Sequence, residues 1–596
     1  MSDKYSVRQQ NVGNLLAWIS SKEVAIPEIQ RPFVWKATKV RDLIDSLYNG
    51  YPIGYLITWQ NPNVKLKNGE VSRGKKILID GQQRITALTT AINGQRVLNQ
   101  RYRQVRIRIA FHPVRKEFKV LSKGEENSPE WINDISEVIN DKKSLLQIIR
   151  EYQELNPGFS EQVVEQNIDQ LRQITQKQIG IIELAHDLDT DTVTEIFIRI
   201  NQSGVVLSNA DFVMSKIAAD EKHGGNQLRK TIDYFCRLIV NKDFLGHILD
   251  NDPEFVSSDY FQSINWMSKS VDELYIPDYA DVLRVAFTYQ FNRGKFSDLV
   301  ALLSGRDFEA RDFKEEITNR SFSLLREGIL QVVNQTNYER FLMLVKSTGF
   351  VHEKLISSKN SLNVAYALYL KLKQKRLGEN EIQRYVQRWL VMTILLGRYS
   401  GSSESYIDED IKNIESKGIA MYLRQLEDAQ LNEGFWSFQL VSDLESSRFN
   451  NQYGVYLAAQ CYTKSLAFLS KSITIASLLE HRGDLHHIFP KDHLKKQGFT
   501  QKYYNQIANL VYTEQYSNIK ISNQSPQEYI LAVKNEITQG LRMHTTLDSI
   551  HELKKNLIAN DIPVLLLEND DVDYQEFLAQ RRRLMAQKIK KFYQCL

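Results

Sequence analysis

The chain has only 3 cysteines in 596 residues, Cys236, Cys461 and Cys595, and no two of them form a CxxC pair. That spacing excludes a disulfide scaffold and a four-cysteine zinc site. A reducing, cytoplasmic setting is the expectation. Proline and glycine are also sparse, at 12 and 27, too few for a fibrous or linker-dominated chain. Long apolar runs are missing. The densest stretch, Trp389 to Gly397, is half a membrane span and suits a buried helix, so no membrane partner is expected. The opening residues, MSDKYSVRQQNVGNLL, lack a charged-then-apolar leader, and no signal peptide is expected. Charge of one sign is missing too. Lys+Arg number 76 against 72 Asp+Glu, a net +4, so nucleic-acid affinity would have to come from local patches rather than a global field. There is no GxxxxGK[ST] loop and no repeat of twenty to fifty residues, which excludes a P-loop enzyme and a solenoid.

What is present is ordinary for a globular protein: 42% hydrophobic and 25% charged residues. The length predicts two to four domains at about 150 residues each. The texture predicts a multidomain α+β chain in three regions. Residues 1–220 mix short strands and helices. The runs Ile53 to Gln60 and Lys76 to Ile79 are β-branched and aromatic and end at turn residues, and Val105 to Phe111 alternates apolar residues with Arg as a half-exposed strand does. Thr194 to Ile200 and Asn209 to Ala219 read as helices. Residues 221–440 carry apolar positions at three- and four-residue spacing, as in Ala280 to Phe291, Leu362 to Lys373 and Glu381 to Leu396, which predicts a helical coupling region. Its many Tyr and Phe residues read as core rather than as base-stacking platforms. In residues 441–596 short apolar runs and turns return before a basic C-terminal stretch.

Two places carry chemistry. Four of the 11 histidines, His481, His486, His487 and His493, fall within thirteen residues, and Asn509 and Asn518 follow downstream. Adjacent histidines at a strand end can serve one site. Phosphodiester hydrolysis needs an activated water and charge stabilisation at the leaving oxygen, and neutral histidine can take a proton at cytoplasmic pH. Near the other end, a strand (Lys75 to Ile79) runs into Asp80-Gly81-Gln82-Gln83-Arg84 and then a helix. Asp80 is placed to cap that helix, Gly81 lets another group approach the backbone, and the free N–H groups of a helix start attract phosphate.

The run HHIFPKDHL with Asn509 and Asn518 resembles the HNH nuclease motif and its ββα-metal fold, over roughly residues 440–560. The resemblance is to the C-terminal domain of GmrSD-type restriction enzymes. It implies that His487 is the general base, that His486 and Asn518 bind a divalent ion, magnesium by expectation, and that Asn509 holds His487 through the backbone. His481 and His493 match no family role. The set IPxxQRxxxW, DGQQR and FxRxNxxGxxL resembles the GmrSD N-terminal domain, which is similar to the ParB/sulfiredoxin fold, over roughly residues 8–220. It implies a nucleoside triphosphate site lined by Gln30, Arg31, Asp80, Gly81, Gln82, Gln83 and Arg84 and closed by Asn201 and Gly204.

For DNA contacts the candidates are Arg106, Arg108 and Arg115 in the basic stretch 101–119, and Lys520 beside Asn518. Arg581 to Arg583 with Lys588, Lys590 and Lys591 form a second cluster that reads equally as a solvated face. The resemblance implies a modification-dependent endonuclease acting on hydroxymethylated or glucosylated phage DNA, possible as a homodimer. The alternatives are an SspE-like sensor of phosphorothioate DNA, a nucleotide-switched regulator that binds nucleic acid without cutting, and an RNA-directed nuclease.

Overall fold

The computed structural model describes residues 4–21, 23–25, 33, 35–60, 76–99, 103–121, 128–140, 143–185, 188, 196, 209–220, 222–270, 272–310, 312, 314–481, 483–569 and 571–596. Gln30, Arg31, Arg101, Asn201 and Gly204 lie outside the described residues, as does most of the helix expected over 194–200. The chain is mixed α+β and mainly helical, and it divides into two compact units, residues 1–269 and 270–596.

The first unit is organised by a five-stranded sheet. Its strands are β1 (Tyr5–Asn11), β2 (Val24–Ala25), β3 (Tyr55–Gln60), β4 (Lys76–Asp80) and β5 (Gln178–Leu184), in the spatial order β1-β5-β3-β4-β2. The β1/β5 and β3/β4 pairs are antiparallel, and β5/β3 and β2/β4 are parallel. Two helices, α1 (Val12–Ser20) and α2 (Gln82–Ala91), pack on one sheet face. Leu15 of α1 and Ile85 of α2 join Leu56, Leu78, Ile179 and Ile181 in one buried cluster. A helix α3 (Asn209–Ala219) forms as the sequence predicts.

The strand expected over Val105 to Phe111 is broken. Only Gln104–Val105 and Ile109–His112 pair with neighbours. Between them Arg106 turns to Asp134 and Ser136, and the Ile107 amide donates to Thr90 Oγ1 at 3.1 Å instead of to a strand. Local ion pairing thus interrupts the ladder that the alternation suggested.

The second unit is built on long helices, among them α4 (Tyr279–Phe291), α5 (Lys359–Gln374) and α6 (Glu379–Leu395). The Tyr and Phe residues of this region are core: Phe341 and Tyr366 stack at 4.5 Å, with Tyr275 and Tyr338 beside them, all buried. α4 starts on a reciprocal cap. Asp278 accepts from the Ala280 and Asp281 amides while Asp281 accepts from the Asp278 amide.

Burial and the neighbouring Asp281 push Asp278 up to about 6. The folded state therefore holds this proton more tightly than the unfolded chain does. The resulting stability is complete below the ordinary carboxylate pKa near 4 and is lost as pH rises through about 6. Asp278→Asn keeps the amide acceptor and removes the charge. We expect it to raise stability by about 2 kcal/mol at pH 7.5 and to change nothing below pH 4, as read from thermal melts at the two pH values. Equal shifts at both would refute the assignment.

After α6 the unit continues to a two-stranded antiparallel ribbon, β6 (Asp484–His487) with β7 (Leu510–Thr513), followed directly by α7 (Gln515–Ile521). A long helix, α8 (Tyr574–Cys595), packs behind the ribbon. Among the described residues no helix is long and apolar enough to cross a membrane.

Candidate functional site

In the ribbon His487 stands opposite Leu510 and His486 opposite Val511. Alternation on the strand sends the two rings to different surroundings. His486 is buried between the rings of Phe468 and Tyr529, each about 6 Å away (6.1 and 6.2 Å). Its Nδ1 lies 2.8 Å from Asn518 Oδ1 on α7. The Asn518 amide nitrogen in turn donates to Asp484 Oδ2 at 3.1 Å, which fixes the amide so that its oxygen faces the imidazole. Asp484 is a residue the sequence reading missed. Its position two residues before His486, on the same strand face, was the available signal.

His487 is partly buried, and its Nε2 lies 3.2 Å from Asn505 Oδ1. An amide oxygen only accepts, so Nε2 carries the hydrogen and Nδ1 keeps its lone pair. Asn505 was not legible in the sequence, because a loop between two short helices brings it to the ring. Burial pushes both histidines down, His486 to about 4 and His487 below its ordinary value. Both are therefore neutral near pH 7.

Asn509 touches neither ring. It is fully buried, accepts from the Phe489 amide at 2.8 Å, and donates to the carbonyls of Phe489 and Tyr504 at 3.0 Å each. Its own carbonyl accepts from the Ile488 amide at 2.8 Å. The two residues after His487, rather than His487 itself, are thus clamped to it. His481 and His493 stay apart, bonded to Ser477 and Gln497 on their own helices.

The donors suit a divalent ion. Among the described residues no group of three or more His, Cys, Asp and Glu side chains gathers. A hard octahedral ion that keeps several waters needs only one or two protein ligands. At metal–ligand distances near 2.1 Å, neighbouring positions are separated by about 3 Å, and His486 Nδ1 and Asn518 Oδ1 are 2.8 Å apart. His486 Nε2 is buried with no hydrogen-bond partner among the described residues. As it stands Nδ1 carries the hydrogen donated to Asn518 Oδ1, and an ion held by this pair would require that proton to move to Nε2.

At the other corner β4 ends at Asp80, and Gly81 enters α2 with φ +102°. Asp80 does not cap the helix, contrary to expectation; Gly81 holds the N-cap position and the Asp80 carboxylate pairs with Arg84 Nη2 at 3.0 Å. The same guanidinium donates to the Tyr55 carbonyl at 2.5 Å, and burial lowers its pKa. One helical turn separates Asp80 from Arg84, so the ion pair outcompetes capping. Gln82 and Gln83 are buried beside it. A Cβ on Gly81 would sit 2.1 Å from Leu56 Cδ2. Gly81→Ala should cost about 2–4 kcal/mol from strain and overlap together, measured as a fall in the denaturation midpoint of the first unit. A change under about 0.5 kcal/mol would mean the corner relaxes.

The basic candidates divide. Arg106 is held by Asp134, Arg115 pairs with Glu117 and Glu130 and lies over Trp131, and Arg108 has a partner as well. Lys520 rests over the Tyr516 ring on α7, beside Asn518. The basic run of α8 is largely committed inside the fold rather than forming the solvated face considered above. Arg581 is fully buried, Lys588 pairs with Asp561, and Lys590 pairs with Glu433.

Residues 12–218, which contain the Asp80–Arg84 corner, match the N-terminal domain of the GmrSD restriction endonuclease. An uncharacterized protein of Methanocaldococcus jannaschii is 21% identical over 638 aligned positions, covering 97% of this chain and 98% of the relative. The similarity therefore runs through both compact units.

Proposed function

We propose that the chain is a metal-dependent DNA endonuclease of the HNH kind, acting on modified phage DNA and regulated by a nucleoside triphosphate at the Asp80–Arg84 corner. The observation that carries the nuclease reading is the convergence of His486 Nδ1 and Asn518 Oδ1 at 2.8 Å, beside a turn in which Asn509 clamps the backbone after His487. The strand β6, the short helical turn leading into β7, and α7 supply these residues in that order.

In this reading His487, neutral and oriented by Asn505, accepts a water proton at Nδ1 as the water attacks phosphorus. His486 and Asn518 hold the ion, and Asp484 keeps the Asn518 oxygen turned toward it. A divalent ion bound there would neutralise the scissile phosphate and the departing 3′ oxygen. Lys520 on α7 offers charge to a neighbouring phosphate. At the Asp80–Arg84 corner Gly81 and the buried Gln82 and Gln83 would meet the nucleotide, with Gln30, Arg31, Asn201 and Gly204 of the family pattern. Arg84 enters as the residue that fixes Asp80, since its guanidinium already serves Asp80 and Tyr55. A homodimer would let two single-cut sites act on both strands.

The test is cleavage by purified protein with magnesium or EDTA, with and without nucleoside triphosphate. Substrates are plain DNA, glucosylated hydroxymethylcytosine DNA, phosphorothioate DNA and RNA. Magnesium-dependent, nucleotide-sensitive cutting of the glucosylated DNA alone is expected. Cutting of phosphorothioate DNA alone would shift the substrate to that modification. Binding without any cutting would replace the nuclease by a regulator.

A further inference from the structure

Arg581 presents an unusual arrangement. It lies on α8, its side chain is fully buried, and no carboxylate bonds to it directly among the described residues. Its Nη1 donates to the carbonyls of Ala508 and Leu510 at 2.8 Å each, and its Nη2 to the Asn560 carbonyl at 3.4 Å. Its Nε is buried with no hydrogen-bond partner among the described residues. Asp561 interacts with Arg581 electrostatically, yet burying a guanidinium is costly even near a carboxylate, and an apolar side chain of similar volume often fills such a space at lower cost. Packing alone does not account for it.

The two carbonyls that share Nη1 flank Asn509. A cation holding both pins the peptide before Asn509 and the peptide after Leu510, and so restrains the backbone that carries the Asn509 side chain. The Asn509 amide is what holds Phe489, and its carbonyl is what holds Ile488. α8 grips the same turn from its other side, with the rings of Phe577 and Tyr574 at 4.8 and 5.0 Å from Phe489. Arg581 thus holds the backbone on both sides of Asn509, and Asn509 in turn is hydrogen-bonded to the turn directly after His487.

We propose that Arg581 is a positioning residue for the nuclease site: its guanidinium sets the Asn509 turn and through it the aim of the His487 ring. The inference rests on the nuclease reading above for its catalytic consequence, but the brace itself can be read without catalysis.

The experiment compares full-length wild type, Arg581→Lys and Arg581→Met by backbone hydrogen exchange and by steady-state cleavage with magnesium. In Arg581→Met the Ile488 and Phe489 amides should exchange about tenfold faster or more, with the amides of α6 unchanged. kcat should fall about 10- to 100-fold with KM for DNA within about twofold, as expected for a misaimed base. Arg581→Lys, which keeps one donor, should fall between. Combined with Asn509→Ala, Arg581→Met should add little further loss, because both act through one turn.

Unchanged exchange at Ile488 and Phe489 would overturn the proposal, and so would losses that add in the double variant. If Arg581→Met does not fold, the Lys variant decides: local acceleration supports the brace, and uniform acceleration across the second unit overturns it. A wild type that cuts nothing refutes the nuclease reading, while the exchange pattern still tests the brace.

Discussion

His487→Ala should reduce DNA cleavage by roughly 10²–10⁴-fold, the range that removal of a general base produces, while DNA binding stays within about twofold. The ring is partly exposed, and its side-chain bond to Asn505 is long at 3.2 Å. Losing it disturbs little besides the chemistry, because the backbone on its C-terminal side is held by Asn509 and not by the imidazole. The measurement is a paired nicking assay and mobility-shift titration on the same preparation. Loss of binding in step with loss of cutting would point to a folding defect. Cutting at the wild-type rate would remove His487 from the mechanism. His486→Ala offers a contrast, since it should also weaken magnesium or manganese binding measured calorimetrically, which the His487 variant should leave nearly intact.

The largest stability effect is expected far from the histidines, at Asp410. This carboxylate is completely buried and accepts four bonds: Arg398 Nε at 2.8 Å and Nη2 at 2.5 Å, Tyr399 Oη at 2.8 Å and Tyr422 Oη at 2.7 Å. Arg398→Met fills the space but leaves a buried charge without its cation. The cost should be about 3–5 kcal/mol, read as a drop in the denaturation midpoint of the second unit. Adding Asp410→Asn should recover a good part of it, because the charge is then gone and the two tyrosine hydroxyls still have an acceptor. A loss below about 1 kcal/mol would mean that water reaches the cluster and solvates the carboxylate.

Elements closed by strong punctuation were legible in the sequence. The Asp-Gly step between the β4 strand and the α2 helix placed that corner to within one residue, and the left-handed φ of Gly81 is the reason a glycine stands there. The apolar spacing of α4, α5 and α6 located them to within about three residues, because one face of each had to be buried. The motif asparagines were singled out by resemblance; Asn518 lies against His486, and Asn509 is bonded to the turn after His487.

What escaped the sequence depends on long-range partners. The Val105 to Phe111 alternation implied one continuous strand, yet Asp134 and Thr90 draw its middle away. Asp80 looked like a helix cap until the Arg84 side chain claimed it. The Arg581 run looked like surface charge, and nothing local reveals that carbonyls some seventy residues upstream receive it. Charge in a sequence announces a side chain's chemistry but not its burial, and on a two-sided helix the same Arg can face water or the core.

The position of Arg581 along the chain has a consequence for synthesis. Ribosomes deliver sequence from the N-terminus, and domains fold as they emerge. His486, His487, Asn509 and Asn518 all leave the ribosome before residue 581, so a nascent chain carries every motif residue while the support behind Asn509 is still missing. Such a chain holds the chemistry unaimed. If the chain cuts DNA as proposed, the site would stay unbraced until α8 has been made and docked, and a product truncated before that helix would cut poorly rather than without control.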